Sequence, residues 1–120
     1  MPNSVRENNT DVRAFAVTHP EIRDALDVGP GEGTYHALLS DIVHDIDGVE
    51  IWADNIKDYS LESRYRQIYH ADVRDFVFSD DMKDYDLIIF GDVLEHMSVN
   101  DAVDVFNEAK TRAKWVIVSV

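Results

Sequence analysis

The sequence predicts an α/β fold in which a parallel five-stranded sheet carries helices on both faces. Three observations support this prediction: strand and helix patterns alternate along the chain, their connections are short, and residues 85–90 are almost continuously apolar. Such alternation requires crossover connections, which place helices on both faces of the sheet. We therefore expect a Rossmann-like three-layer sandwich with strand order 3-2-1-4-5 and right-handed crossovers.

Length, charge and cysteine content limit the fold and its partners. The 120 residues suit a single domain, and 45% hydrophobic with 29% charged residues is ordinary for a globular chain. The formal net charge of −13 repels phosphate backbones and anionic lipid, so we expect neither nucleic acid nor a membrane as partner. The chain has no cysteine, which excludes disulfides and thiolate chemistry. With no apolar leader or spanning segment in the sequence, we expect a cytoplasmic location.

Residues 1–21 are predicted to form a polar lead followed by a short helix. Thr10 or Asp11 caps this helix, and it ends at Thr18 because His19-Pro20 cannot continue it. Its packed face is predicted to comprise Ala14, Phe15 and Val17.

The rest of the chain is predicted to alternate between strands and helices. Strands are expected at residues 25–28, 49–52, 67–71, 85–90 and 115–120. Helices are expected at residues 34–45, 54–66 and 98–110. The first of these helices has apolar residues at positions 35, 38, 39, 42, 43 and 46, the spacing of one buried face. The last begins at Ser98, a capping residue followed three positions later by Asp101.

Three of the five glycines, Gly29, Gly31 and Gly33, lie between the first predicted strand and the helix that follows it. Glycine lets the backbone approach a ligand closely, and a helix N-terminus offers free N–H groups. The spacing is G-x-G-x-G with Thr34 in the sixth place, which departs from the G-x-G-x-x-G of dinucleotide-binding folds. Asp27 precedes the loop, and a carboxylate there suits an ammonium group better than a pyrophosphate. The alternative is a tight strand–helix turn without a ligand.

Acidic residues also follow the second and third predicted strands. Glu50 lies seventeen residues after the glycine loop, where an acid can accept both hydroxyls of a ribose. We favour this role over a salt-bridged surface Glu because Ile51 and Trp52 beside it are expected to be buried. Trp52 is a candidate wall for a purine ring, with a core position as the alternative. Asp72, next to Val73, can accept a hydrogen bond from an exocyclic amine or serve only a structural role.

Four segments carry a family resemblance that covers roughly residues 22 to 120. They are Asp27–Gly33, Gly48–Ile51, Ala71-Asp72 and Tyr85–His96. In this order and at these separations they resemble the motifs of class I S-adenosylmethionine-dependent methyltransferases, whose first and last motifs are the more specific.

The resemblance implies that S-adenosylmethionine is the cofactor. By this likeness Asp27 and the glycine-loop backbone hold its methionine part, Glu50 the ribose and Asp72 the adenine amine, with Ile51, Trp52 and Val73 beside them. The segment that contains Asp92 would pass next to the donated methyl group. The cofactor has an ammonium and a sulfonium and no phosphate, so an acidic cradle attracts it.

His96 is the candidate general base of the predicted site. It follows the fourth strand, where substrate would meet cofactor, and imidazole changes charge near neutral pH. The alternative is a histidine that fixes the loop at residues 95–98. Some metal-dependent relatives bind magnesium through a Glu-x-x-Glu-His turn; here Asp92, Glu95 and His96 would share one helical face, but the first acid is Asp. We expect no metal, with these three residues as the alternative.

The combined prediction is a methyltransferase-like domain over residues 1–120 that methylates a hydroxyl or amine of a small-molecule acceptor. Class I methyltransferases usually continue past the fifth strand, whereas this sequence stops at Val120. The sheet is therefore expected to be truncated there, with an exposed apolar edge that could pair in a homodimer. The alternatives are a truncated or binding-only module without turnover and, disfavoured by Thr34, an NAD-dependent oxidoreductase.

Overall fold

The carboxyl ends of five parallel strands meet at one edge of a single sheet. In the computed structural model, which describes residues 11–119, the strand order is β3-β2-β1-β4-β5. The strands are β1 (Asp24–Val28), β2 (Asp45–Glu50), β3 (Gln67–His70), β4 (Tyr85–Gly91) and β5 (Ala113–Ser119). The predicted fold class and strand order are confirmed.

Helices cover both faces of this sheet. They are α1 (residues 11–17), α2 (Thr34–Leu39), α3 (Ala53–Asp58), α4 (Leu61–Arg64), α5 (Val73–Phe76) and α6 (Val99–Arg112), with a 3₁₀ helix at Leu94–His96. Ser98 caps α6 as predicted, since its hydroxyl accepts the Asp101 N–H at 3.1 Å. Among residues 11–119, no helix has the length and apolar character needed to cross a membrane.

Successive strand residues point into two separate cores. Ile88 and Phe90 of β4 pack with α5 and α6, whereas Leu87 and Ile89 pack with α1, α2 and α4. This burial on both faces explains why β4 is apolar almost throughout, as parallel strands between two helical layers require. The two helical layers bury β1 and β4 from both sides, and a cleft opens at the carboxyl ends of these strands.

The boundary between α2 and β2 differs from the prediction. The helix ends at Leu39 instead of residue 45, and β2 begins at Asp45 instead of Val49. Apolar residues at positions 42, 43 and 46 fit a helix face, but Ile46 also fits the alternation of a strand that pairs with β1. Aspartate is an unfavourable residue type for a strand, yet Asp47 is fully buried in β2. Its burial is possible because Arg66 and Tyr85, both later in the chain, donate hydrogen bonds to its carboxylate.

Three smaller differences concern the helices. The helix predicted at residues 54–66 is two helices, because Ser60 adopts a left-handed conformation with φ 54°. Helix α5 was not predicted, and the packed face of α1 contains Val12 and Ala16, whereas the predicted Ala14 and Val17 are exposed. The predicted cap at Thr10 and strand end at Val120 lie outside the described residues.

Candidate active site

A cleft of about 960 Å³ opens at the carboxyl edge of the sheet, where the strand order reverses between β1 and β4. Ligands of open α/β sheets bind at this switch point. The segments that follow β1, β2, β3 and β4 form its walls. The predicted residues that line it are Gly29, Gly31, Glu50, Ile51, Trp52, Asp72, Val73, Asp92 and His96. Asp27, Gly33 and Glu95 stand outside its walls.

The glycine loop turns through left-handed backbone conformations that L side chains rarely adopt. Gly29 has φ +67°, and a Cβ there would lie 2.5 Å from Val93 Cγ2. Gly31 has φ +55°, but a Cβ there would meet nothing within 4 Å because this residue borders the open cleft. Gly29 therefore permits close packing against the chain after β4, whereas Gly31 leaves space for a ligand beside the backbone.

Arg64, which does not line the cleft, binds the glycine loop through hydrogen bonds. Its guanidinium donates to the carbonyl oxygens of Glu32 at 2.7 Å and Gly33 at 3.1 Å. Arg64 belongs to α4, about thirty residues further along the chain, so this contact had no local signal in the sequence. The loop is therefore held in shape by the chain itself.

Glu50 ends β2 and faces the cleft, although it is only 2% exposed. Its Oε1 accepts the Gly31 N–H at 3.0 Å and its Oε2 accepts the Trp52 N–H at 3.0 Å. Each carboxylate oxygen can accept a second hydrogen bond. The carboxylate thus organises the cleft backbone and retains acceptor capacity for hydroxyl groups.

The prediction that Ile51 and Trp52 are buried is wrong. They are 46% and 67% exposed, because β2 ends at Glu50 and the chain turns outward into α3. Their side chains form an apolar wall of the cleft instead of entering the core. Exposed apolar side chains at a concave site are typical of the walls of ligand pockets.

Asp27 lies beneath the glycine loop and is 1% exposed. The Tyr65 hydroxyl donates to its Oδ2 at 2.6 Å, and its Oδ1 has no hydrogen-bond partner within the described structure. Burial raises the pKa of Asp27 to about 7; the hydrogen bond from Tyr65 opposes this rise and the nearby charge of Glu50 adds to it. The Asp27 carboxyl group is therefore covered by the protein and does not line the cleft.

Asp72 caps α5 and forms an ion pair at the cleft rim. It accepts the Arg74 N–H at 2.9 Å, and the Arg74 guanidinium lies 2.6 Å from its Oδ2. These hydrogen bonds hold the pKa of Asp72 below its ordinary value. Arg74 also lines the cleft and lies 3.6 Å from Asp101 of α6. The prediction missed Arg74, which stands only two residues after Asp72 and was visible as its nearest cation.

The end of β4 is packed against Tyr35, a residue predicted only to lie on a buried helix face. A Cβ on Gly91 would lie 2.5 Å from the Tyr35 ring, so the ring covers this strand end and lines the cleft. Burial raises the pKa of the Tyr35 phenol, so it is a hydrogen-bond donor near neutral pH. Asp92, which follows Gly91, has φ +56°, and its backbone N–H donates to the Ser119 carbonyl oxygen at 2.9 Å.

His96 lines the cleft at the end of the 3₁₀ helix. The single helical turn predicted to carry Asp92, Glu95 and His96 does not form, because Asp92 is left-handed and the 3₁₀ helix begins at Leu94. Between residues 11 and 119, no group of three or more His, Cys, Asp or Glu side chains is arranged to hold a metal ion. The alternative in which Asp92, Glu95 and His96 share one metal-binding helical face therefore does not match the structure.

The strand order and the cleft at its switch point define a Rossmann-like α/β fold, and the comparisons identify its family. Residues 26–114 match the family described as the methyltransferase domain. The chain belongs to this family. No curated protein sequence is significantly similar to it.

Solved methyltransferase structures share the fold. CalS10, an amino pentose methyltransferase from Micromonospora echinaspora with bound S-adenosylmethionine, has a TM-score of 0.70 at 17% identity, over 92% of this chain and 47% of that chain. The N-methyltransferase NodS from Bradyrhizobium japonicum, in complex with S-adenosylhomocysteine, has a TM-score of 0.73 at 16% identity, over 90% of this chain and 56% of that chain. Magnesium protoporphyrin IX methyltransferase from Synechocystis, with bound S-adenosylmethionine, has a TM-score of 0.71 at 17% identity, over 92% of this chain and 57% of that chain. This chain therefore spans about half the length of these proteins.

Proposed function

We propose that the protein is an S-adenosylmethionine-dependent methyltransferase that acts on a hydroxyl or amine of a small-molecule acceptor. The observation that carries this proposal is the open switch-point cleft, in which Glu50 faces the ligand space beside the unobstructed Gly31. The family match supports methyl transfer, and neighbours that hold S-adenosylmethionine or its demethylated product support the cofactor.

The chemistry of the cleft fits a cationic nucleoside. In this proposal the Glu50 carboxylate accepts the ribose hydroxyls, and Asp72 accepts from the adenine amine while it remains paired with Arg74. The exposed side chains of Ile51 and Trp52 and the nearby Val73 supply apolar contact for the adenine ring. The buried Asp27, with one unpartnered oxygen, supplies negative potential beneath the amino acid part.

The residues of this chain contribute alignment and charge to the reaction. The cofactor, when bound, would supply a methyl group on a sulfonium: a lone pair of the acceptor would bond to the methyl carbon while the C–S bond opposite breaks, and the electron pair would leave on the sulfur of S-adenosylhomocysteine. Holding donor and acceptor aligned can remove about 7–11 kcal/mol of the barrier. In this proposal Tyr35 and Asp92 shape the end of β4 where the acceptor approaches, and His96 lies on the same side as a base.

The main alternative is a chain that binds the cofactor without turnover. Calorimetric titration with S-adenosylmethionine and S-adenosylhomocysteine, followed by transfer of a labelled methyl group to hydroxyl and amine acceptors, separates the two. Binding with transfer supports the enzyme, whereas binding without transfer to any acceptor supports the binding module. Titration with NAD tests the oxidoreductase, and NAD binding in place of S-adenosylmethionine would overturn the proposal.

Replacing His96 with alanine is expected to lower kcat by about 10²–10⁴-fold if the acceptor must lose a proton during transfer. The cofactor affinity should stay unchanged, because His96 is exposed and borders the acceptor side of the cleft. Single-turnover rates and calorimetry on the same preparation check both expectations. His44→Ala, at another exposed histidine outside the cleft, is the control. Loss of cofactor affinity with an unchanged transfer rate would instead favour the loop-fixing role.

We also propose that β5 pairs with β5 of a second copy. It is an edge strand in the described sheet, and Trp115 and Val118 are partly exposed along it. Unpaired backbone groups beside apolar side chains favour pairing. Sedimentation should then show a dimer that Val118→Lys dissociates; a monomer at all concentrations would contradict this proposal.

The cytoplasmic location expected from the sequence also remains a prediction.

A further inference from the structure

Tyr65 joins the end of α4 to the strand beneath the glycine loop. It is buried, and its hydroxyl donates to Asp27 Oδ2 at 2.6 Å. Asp27 lies opposite Gly48 in the β1–β2 register, and a Cβ on Gly48 would lie 3.2 Å from Tyr65 Cδ2. The missing side chain at Gly48 therefore leaves room for the Tyr65 ring to cross β2 and reach Asp27.

The titratable groups around Asp27 give Tyr65 a specific electrostatic role. Glu50, at the end of β2, adds a like charge that disfavours ionisation of Asp27. From α2, the phenol of Tyr35 also lies within electrostatic range. Within the described structure, the Tyr65 hydroxyl is the hydrogen-bond donor of this carboxylate, and its bond favours the charged form.

Two further groups lie behind the Tyr65 ring. Arg64, the preceding residue, lowers the pKa of the phenol through its charge, although burial and Asp27 raise this pKa more strongly. The His36 ring packs against Tyr65 with centroids 4.6 Å apart, and burial lowers the pKa of this imidazole. The phenol therefore stays protonated and donates its hydrogen to Asp27.

We propose that Tyr65 is a positioning residue for the cofactor site: through its hydrogen bond it keeps negative charge on the buried Asp27 carboxylate and so sets the affinity for a cationic ligand. This inference rests on the proposed function, since it concerns the amino acid part of the same cofactor. Tyr65 itself does not line the cleft and acts only through Asp27.

The proposal predicts how affinity depends on pH. Asp27, with a pKa of about 7, gains charge as the pH rises through neutrality. A ligand with an ammonium group should therefore bind more tightly to the wild type at about pH 8 than at about pH 6, where Asp27 is largely protonated. Removing the Tyr65 hydroxyl should shift this rise in affinity to higher pH, because the neutral form of Asp27 is favoured when its hydrogen-bond donor is lost.

Calorimetry on Tyr65→Phe is the test. At neutral pH, S-adenosylmethionine and S-adenosylhomocysteine should bind about fivefold or more weakly, the loss of ionised fraction that one pKa unit produces. Methylthioadenosine, which lacks the amino acid part, should bind with unchanged affinity. In Asp27→Asn, the affinity for S-adenosylhomocysteine should rise much less between about pH 6 and about pH 8 than it does in the wild type. This second variant tests the proposal even where Tyr65→Phe does not fold.

Tyr85→Phe is a matched control. Tyr85 is equally buried, and its hydroxyl donates to the buried Asp47 at 2.7 Å, outside the cleft. Tyr85→Phe should lose about as much stability as Tyr65→Phe but should keep the wild-type affinity for the cofactor. Equal affinities in Tyr65→Phe and Tyr85→Phe, or an Asp27→Asn variant that keeps the wild-type pH dependence, would overturn the inference alone. A wild-type chain that binds neither cofactor form would overturn the proposed function, and the inference with it.

Discussion

Glu50→Ala is expected to weaken binding of S-adenosylmethionine by about a hundredfold. The variant removes the proposed acceptor for the ribose hydroxyls, and hydrogen bonds to a charged group contribute about 1.5–3 kcal/mol each. It also leaves the N–H groups of Gly31 and Trp52 without their carboxylate partner. Isothermal calorimetry measures the loss, and S-adenosylhomocysteine should show the same change because both molecules carry the ribose.

Two further variants define what this loss means. Glu50→Gln should also bind weakly, because an amide oxygen can satisfy one backbone N–H while its NH₂ group faces the other donor. Glu62→Ala removes one exposed carboxylate from α4 and should bind like the wild type. Unchanged affinity in Glu50→Ala would remove this residue from the site. A similar loss in Glu62→Ala would show that net charge alone is responsible.

Arg66→Met is expected to lower the free energy of unfolding by about 1–3 kcal/mol, because it removes a hydrogen-bonding cation from the fully buried Asp47 carboxylate, whereas the Arg66 side chain itself is partly exposed. Asp47 is 0% exposed, and Arg66 contacts both of its carboxylate oxygens at 2.9 Å. Without the guanidinium, the Tyr85 hydroxyl at 2.7 Å is the hydrogen-bond partner that residues 11–119 still provide for the buried carboxylate. Urea denaturation measures the loss.

The effect of Arg66→Met should depend on pH in a defined direction. Burial alone would raise the pKa of Asp47, but hydrogen bonds from Arg66 and Tyr85 outweigh this and lower it. A lowered folded-state pKa contributes stability above the ordinary value for Asp, about 3.9. The wild-type advantage should therefore be full near neutral pH and shrink as the pH falls below about 4.

Arg13→Met supplies the control for this prediction. Arg13 also contacts both oxygens of an aspartate, Asp41, at 2.9 and 3.0 Å, but this pair lies at the surface. Exposed ion pairs contribute about 0–1 kcal/mol, so the loss should be small. If Arg13→Met and Arg66→Met lost equal stability, burial would not be the cause.

The fold was predictable because its signals are local. The apolar run of β4, the glycine loop and the capping residue Ser98 each report their structure within a few neighbouring positions. Parallel topology then follows from the alternation of elements. The same local patterns placed Gly31 and Glu50 at one edge of the sheet, and the structure brings them within hydrogen-bond distance.

The missed features depend on partners far along the chain. Asp47 reads as a turn or surface residue until Arg66 and Tyr85 are placed beside it, so β2 was predicted to start too late. Likewise, Tyr65 and Arg64 contact the segment around the glycine loop from more than thirty positions away. Hydrophobic periodicity carries no information about such pairs, because their spacing is set by the tertiary fold.

The double attachment of Glu50 has a consequence for the kinetics of recognition. One carboxylate ties Gly31 and Trp52 to the end of β2 before any ligand arrives, so the entropy of ordering these segments is already lost when the chain folds. A preorganised receptor of this kind avoids that loss at the moment of association. Encounter with the nucleoside should consequently proceed as a single rapid phase, without a slow rearrangement of the loop afterwards.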